Sequence, residues 1–520
     1  MAHLWLRAAS RLAVRPLPGN VGRTLCSDPS SLSMRREVEQ PRQPSLGQLR
    51  LEDLPGPSAS RMLHWILLGG YRNRTCDLQI KMKELYGPLC MYKFGKMTVV
   101  NVARADLIEE VIRQDGIYPQ RSDMSHWQEF RDMRGYSYGP LTAEGSSWHR
   151  FRTVLNKRML RPNDVVSYAK PLNAIVTDFL ARLQRLRAAS SDGDTVTDLA
   201  NELYKFAFEG ISTVLFETRL GSLEEHVPTR TEEFIDAIGC MLHISDIMPV
   251  IPPSIRPYLP VYKRYIAAWD TLYDTAAELI NEKMETINER LQKGEAVEGE
   301  YLTFLLSSGK MSLQEVYGNV TEMLLAGVDT TSNTISWALY QLAREPHYQE
   351  RLYQEIRSII PGDTTPDAES VSRMVYLKAV IKETLRKYPV IPGNARVAAN
   401  GDVFVGGYRF PKKTIFHFCH YAVSHDPENF PEPKLFRPER WLRVAGRLPH
   451  HPFSSIPFGF GIRACLGRRI AELEMLLALS QILRAYEVHP DPEEKEEVTP
   501  VTRTLLIPGA KINLKFIERK

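Results

Sequence analysis

Apolar residues recur at helical spacing over long stretches of this chain, at 165–187, 199–215, 261–291 and 316–342, with polar residues filling the other face. Each stretch predicts a helix. Shorter extended runs at 97–102 and 403–410 predict strands of small sheets, and an apolar run from Ile470 opens a further helix. No linker divides the chain after residue 50, and there is no internal repeat or long low-complexity tract. Length alone would suggest about three domains. The pattern instead predicts one mainly α domain with small β-sheets, spanning 51–520.

The first fifty residues differ. Arg7, Arg11, Arg15, Arg23, Arg35 and Arg36 precede most of the acidic residues, the earliest of which is Asp28. Leu4, Leu6, Leu12 and Val14 can share an apolar face. That is the composition of a mitochondrial transit peptide, with a disordered basic tail as the alternative. No apolar span of about 18 residues opens the chain, so no amino-terminal membrane anchor is expected. Folded structure is expected to begin near Leu54-Pro-Gly-Pro57. The segments 61–68 and 248–259 are apolar but broken by basic residues or prolines, and read as surface-dipping or as ordinarily buried.

A net charge of +4 gives no reason to expect nucleic acid as a partner. Six cysteines, at 26, 76, 90, 240, 419 and 465, show no C-x-x-C pair and imply a reducing compartment. No glycine-rich fingerprint for flavin or nicotinamide follows a strand, and Gly69-Gly70 reads as a turn. Any electrons must come from a separate protein.

The candidate chemistry is concentrated at Phe458-Gly-Phe-Gly-Ile-Arg-Ala-Cys-Leu-Gly467. A cysteine binds metal as thiolate, so its anion needs support. Gly461 and Gly467 let backbone N–H groups approach Cys465, the helix that follows aims its positive end at the sulfur, and Phe458 shields it from water. Ala326-Gly327-Val328-Asp329-Thr330-Thr331 lies within a long helical pattern, where small residues leave space beside a hydroxyl and a carboxyl. A threonine-rich helical turn with back-bonded hydroxyls is the alternative there. Glu383 and Arg386 lie at i, i+3 on one helix face as a bidentate pair, and Trp148 and Arg152 offer N–H donors one turn apart.

The full F-x-x-G-x-R-x-C-x-G pattern, with these landmarks in order, resembles the cytochrome P-450 monooxygenases over roughly residues 55–517. The resemblance implies a single-domain fold with haem b between an oxygen-activating helix and the cysteine-ligand helix. Cys465 would be the axial thiolate, which favours O–O cleavage. Asp329 and Thr330 would serve oxygen activation, with Asp329 relaying protons from solvent. Trp148, Arg152, Arg396 and Arg463 would hold the haem propionates, and Phe458 would flank the ligand. Arg440, in Phe436-Arg-Pro-Glu-Arg-Trp441, would join Glu383 and Arg386 in a buried structural network.

By family position the substrate pocket draws on Trp127, Met323, Ala326, Val390, Ile391 and Thr504. Lys378, Lys382, Arg468 and Arg469 match the surface on which mitochondrial members receive an adrenodoxin-type ferredoxin, itself reduced by ferredoxin reductase and NADPH. In those relatives the apolar segments rest on the matrix side of the inner mitochondrial membrane and admit lipophilic substrate. Leu-Leu-Ala-Gly-Val-Asp-Thr-Thr-Ser-Asn-Thr and Cys-Leu-Gly-Arg-Arg-Ile-Ala-Glu-Leu-Glu-Met look like the vertebrate sterol 26-hydroxylase branch. That branch oxidises the side-chain terminal methyl of cholesterol and bile-acid sterols and also acts on vitamin D. Pro392-Gly-Asn is closer to sister branches, which perform 1α-hydroxylation of 25-hydroxyvitamin D or desaturate retinoids. A sterol-binding haem protein without monooxygenase activity is the remoter reading.

Overall fold

The computed structural model describes residues 49–519 apart from 95–96, 122–123, 296, 298, 300, 363, 444–449 and 494–495. The stretch read as a transit peptide therefore lies outside the described residues, save for Leu49 and Arg50. The principal helices, in chain order, are α1 (Ala59–Leu67), α2 (Ser125–Arg134), α3 (Gly145–Met159), α4 (Ala169–Ala189) and α5 (Leu199–Phe216). They continue with α6 (Thr229–Ser245), α7 (Pro260–Gln292), α8 (Leu313–Arg344), α9 (Val375–Lys387) and α10 (Arg468–Ala485).

The strands are β1 (Leu49–Arg50), β2 (Leu89–Phe94), β3 (Met97–Val102), β4 (Thr195–Val196), β5 (Asn394–Val397), β6 (Val403–Val405) and β7 (Tyr408–Phe410). β8 (Ile415–Phe418), β9 (Tyr486–Pro490), β10 (Pro500–Arg503), β11 (Leu505–Pro508) and β12 (Leu514–Glu518) complete them. They form small sheets in the orders β2-β3-β8-β5, β1-β7-β6 and β4-β12-β9, with β10-β11 as a separate hairpin. The molecule is mainly α with small β-sheets, as the pattern predicts.

The long periodic stretches become α5, α7 and α8. The 165–187 stretch does not stay whole: it splits into a short helix, Pro162–Val166, and α4. Pro171 is the cause, since it offers no N–H to the Ser167 carbonyl and its ring crowds that carbonyl. The Ser167 hydroxyl turns back to Asp164 O at 2.7 Å. The run 403–410 is a hairpin rather than one strand. Gly406 and Gly407 both take positive φ, 56° and 85°, which a two-residue turn between twisted strands demands.

Helix α8 is the axis of the fold. The Ser312 hydroxyl accepts from Glu315 N while the Glu315 carboxylate accepts from Ser312 N, a reciprocal cap that fixes its start. From Gly318 to Ala343 every residue is buried except Ala326, Gly327 and Thr330. A helical core lies around it, while Leu54, Val100, Val102, Phe416 and Phe418 belong to a second core on the sheet side.

The Pro-Gly-Pro entry is pinned to β2: Pro55 O accepts from Met91 N at 2.9 Å, and a Cβ on Gly56 would fall 1.7 Å from Met91 O. In α1, Met62 and Trp65 are buried while Leu63, Leu67 and Leu68 are exposed, so this segment is half core and half apolar surface. The 248–259 loop divides likewise, with Met248 buried and Val250, Ile255 and Tyr258 exposed. Among the described residues, no helix is long and apolar enough to cross a membrane. Gly70, at φ 74°, makes the expected turn after α1.

Candidate active site

The cysteine loop is built on two left-handed glycines, Gly459 at φ 69° and Gly461 at φ 73°, a region in which side chains are strained. They fold Phe458 back so that its carbonyl accepts from Cys465 N at 2.8 Å. Gly467 caps α10, and its N–H is directed at the cysteine sulfur. Gly461 thus shapes the turn, whereas Gly467 touches the ligand. Burial raises the Cys465 thiol pKa; the Gly467 N–H and the guanidinium groups of Arg152, Arg121 and Arg468 oppose that rise. Cys465 nonetheless keeps exposed surface, unlike Cys76, Cys90 and Cys419, which are buried in the core. Burial pushes the Cys76 and Cys90 thiols up to about 12, which leaves them inert.

Among the described residues around the loop, guanidinium groups outnumber carboxylates. Arg463 donates to Pro119 O at 2.8 Å, pairs with Glu144 and stacks 3.8 Å over the Trp148 ring. Arg152 donates to Ala464 O at 2.8 Å, and Arg396 pairs with Asp115 at 2.9 Å. A fourth, Arg121, donates to Arg463 O at 3.3 Å. Burial and the neighbouring guanidinium groups press Arg121 down to about 10 and, against Glu144, Arg463 down to about 9. Arg152 Nε and Arg463 Nη1 are buried and have no hydrogen-bond partner among the described residues.

Such a cluster needs further negative charge. Haem b, with two propionates and an iron that takes a thiolate, fits both the unpaired donors and the sulfur. Arg121, Asp115 and Glu144 were not legible in the sequence. They come from loops and a helix end without a motif, and only the fold joins them to Cys465.

On α8 the structure revises two expectations. Gly327 does not open space for oxygen: a Cβ there would lie 2.5 Å from Ile211 Cγ1, so its smallness serves the packing of α5 on α8. Ala326 alone is exposed in mid-helix. The Thr330 hydroxyl donates to Ala326 O at 2.8 Å, the back-bond held open as the alternative, and its lone pairs stay free to accept. Asp329 is not open to solvent. It is 4% exposed, its Oδ1 accepts from the Tyr204 hydroxyl at 2.8 Å, and Oδ2 is buried without a partner. Burial pushes its carboxyl up to about 7 against the Tyr204 bond.

The Glu383 carboxylate is fully buried. Arg386 Nε and Nη2 grip it at 2.9 and 2.8 Å, Arg440 Nε reaches it at 3.2 Å, and Trp441 Nε1 at 3.0 Å. The remaining Arg386 and Arg440 donors go to the carbonyls of Ser424, Leu435, Pro431 and Glu432. Every strand of this knot is satisfied, as a buried ionic network requires.

The pocket candidates meet only in part. Trp127 Nε1 donates to Ser245 Oγ at 3.0 Å, and Thr504, at φ 61° on the β10-β11 turn, donates its backbone N–H to Asp246 at 3.0 Å and sets its hydroxyl between Asp246 and Leu242 O. Both therefore converge on the end of α6. Met323 is buried with its sulfur 3.5 Å from the Tyr301 hydroxyl, and Val390 is buried with its carbonyl on Leu506 N. Ile391 is half-buried and Ala326 exposed.

Of the basic residues, Lys378 turns its ammonium back to Ser372 O and Arg468 pairs with Glu472 at 3.0 Å. Lys382, 5.9 Å over the Trp441 ring, and Arg469 are exposed, as are the apolar Phe460 and Ile462 of the ligand loop.

The sequence profile of the family described as Cytochrome P450 matches residues 54–516. The mitochondrial sterol 26-hydroxylase of Rattus norvegicus is 44% identical over 497 residues, 93% of each chain. The human mitochondrial 25-hydroxyvitamin D-1 alpha hydroxylase is 43% identical over 476 residues, 90% of this chain and 93% of that one. A crystal structure titled cytochrome P450DA heme domain superposes with a TM-score of 0.74 at 22% identity, covering 90% of this chain and 98% of that one. The family match takes in the cysteine loop, α8 and the Glu383 knot together, and the chain belongs to the cytochrome P450 family.

Proposed function

We propose that this protein is a mitochondrial monooxygenase that hydroxylates the terminal methyl of a sterol side chain, drawing electrons from a ferredoxin. The observation that carries the chemistry is the excess of guanidinium groups around an exposed Cys465. Haem b held by Cys465 supplies dioxygen activation when bound. Arg152 and Arg463 bring unpaired donors to its carboxylates, with Arg121 and Arg396 adding charge, and Trp148 backs Arg463. Phe458 O holds the Cys465 backbone N–H, and the Gly467 N–H favours the thiolate. The Thr330 hydroxyl, bound to Ala326 O, presents its lone pairs beside the break that Ala326, Gly327 and Thr330 make in the buried run from Gly318 to Ala343, and Asp329 holds a proton near neutrality.

Substrate class rests on likeness to the sterol 26-hydroxylases. A second reading, 1α-hydroxylation of 25-hydroxyvitamin D, is favoured by nearly equal identity to that enzyme. Exposed Lys382 and Arg469 suit an acidic ferredoxin better than Lys378 or Arg468, whose charges are already engaged. Exposed Leu63, Leu67, Leu68, Val250 and Ile255 suit peripheral contact with the matrix face of the inner membrane.

Haem-loaded protein with ferredoxin, ferredoxin reductase and NADPH, offered cholesterol, 25-hydroxyvitamin D and retinol separately, tests the reading by mass spectrometry of the products. New oxygen on the sterol terminal methyl is expected. Turnover confined to the secosteroid A-ring or the retinoid would replace the substrate and keep the chemistry.

A further inference from the structure

Among the described residues, the side-chain hydrogen bond to Asp329 comes from a helix that carries no motif. On α5, the face that presents Ile211 to Gly327 presents Tyr204, about two turns earlier, to Asp329 and Asn333. Asn333 Nδ2 donates to the Tyr204 hydroxyl oxygen at 2.9 Å, and that hydroxyl donates to Asp329 Oδ1 at 2.8 Å. Asn333 is itself tethered, donating to Asp329 O at 2.8 Å one turn back along α8.

The order of donors matters. With an N–H from Asn333 on its lone pair, the phenol has its own proton free to point at Asp329, and each bond polarises the next. Asp329 Oδ2 and Asn333 Oδ1 are buried and have no partner among the described residues. Among the described residues, Tyr204 therefore makes the one hydrogen bond to the Asp329 carboxyl.

We propose that Tyr204 is a positioning residue for Asp329, holding its carboxyl toward α5 through the Asn333–Tyr204–Asp329 chain so that the proton it carries is released in register with turnover. This rests on the reading of Asp329 as the proton carrier. A phenol packed only for its ring would work as well without its hydroxyl. A positioning phenol would not.

Tyr204→Phe removes that one oxygen. In the reconstituted haem-loaded enzyme, with sterol, ferredoxin, its reductase and NADPH, it is expected to lower kcat about tenfold, the worth of one hydrogen bond to an ionisable group. Peroxide release per electron should rise, while KM and the substrate-induced haem absorbance change stay as in the parent. Combined with Asp329→Asn, it should add nothing to the loss caused by Asp329→Asn alone.

Full coupling in Tyr204→Phe beside a poorly coupled Asp329→Asn would overturn the role of Tyr204 and leave that of Asp329. Full coupling in both would remove the reading of Asp329 and this proposal with it. Should Tyr204→Phe fail to incorporate haem, Asn333→Leu, which deletes the donor that orients the phenol, probes the same chain: a fall in coupling supports it and unchanged coupling refutes it.

Discussion

Asp329 and Thr330 are adjacent in the chain, yet a helix turns neighbours by about 100°, so they meet different surroundings. Thr330 is only partly buried, in the one break of the buried run from Gly318 to Ala343, while Asp329 is sealed against α5. Thr330→Ala removes a γ-methyl and a hydroxyl whose hydrogen bond stays within its own helix, so thermal stability should change little while product formed per electron falls about tenfold or more. Measuring NADPH consumed against product formed checks this.

Asp329 adds a pH dependence. Its carboxyl, raised to about 7, is the acid below that pH and the carboxylate above it. If the acid form delivers the proton, coupling should fall as pH rises through about 7, and Asp329→Asn should flatten that limb between pH 6 and 8.5. At this scale the motif residues were legible in the sequence because their types and spacing are specific. Gly327 was misread because only the tertiary neighbour, Ile211, tells packing from open space. Tyr204 carried no signal, being one ring among the apolar positions of a helix.

Among the elements, α2 has an anchor out of proportion to its ten residues. Arg131 and Glu322 are both fully buried and 2.8 Å apart, and Arg131 also donates to Trp127 O at 2.7 Å and lies 4.5 Å over the Trp269 ring. The same carboxylate accepts from Leu141 N at 2.7 Å and from the Thr142 hydroxyl at 2.5 Å. One acid on α8 thus holds α2, the loop that follows it and, through Trp127, a pocket candidate. Glu322→Ala leaves a buried guanidinium and three loop donors unpaired, so unfolding stability should drop by about 3–5 kcal/mol. Adding Arg131→Met should recover only part, since Leu141 N and Thr142 stay unpartnered. Urea melts of the three proteins decide it, and full recovery would show the loop bonds to be unimportant.

Helix extents were legible in the hydrophobic period, and the break near Ser167 could have been read from Pro171. The Arg131–Glu322 link could not. Nothing local marks two charged residues so far apart in sequence as partners.

Across the whole molecule, the site lies where the helical body meets the sheets. Arg396 comes from the edge strand β5, Arg152 from α3, Arg463 from the ligand loop and Arg121 from the segment that bridges to Val397. On the sheet side of this junction His420 is buried and His417 half-buried. Burial presses His417 down to about 4 and His420 down to about 3, where His417 and Arg396 add repulsion, and leaves His420 Nε2 without a partner.

Such groups bind no proton in the folded protein at pH values where the unfolded chain does. Below an unfolded value of about 6.5, the unfolded state holds more protons and folding stability declines as pH falls, by about 1.4 kcal/mol per pH unit for each histidine. The contribution is complete above about 6.5 and would be exhausted only near 3 for His420. Raised carboxyls act in the opposite sense. Glu474, pushed up to about 8 by burial, stabilises the fold below its unfolded value and loses that contribution as pH rises through 8.

A difference measurement separates them. His420→Gln keeps a side chain of similar volume that never charges, so every other group cancels against the parent. The two proteins should hold a constant stability difference at pH 7 and above. Between pH 6.5 and 5 the variant should gain on the parent by about 1.4 kcal/mol per unit, read from urea midpoints at fixed ionic strength. A pH-independent difference would mean that His420 takes up its proton inside the fold, with the sheet side of the site open to water.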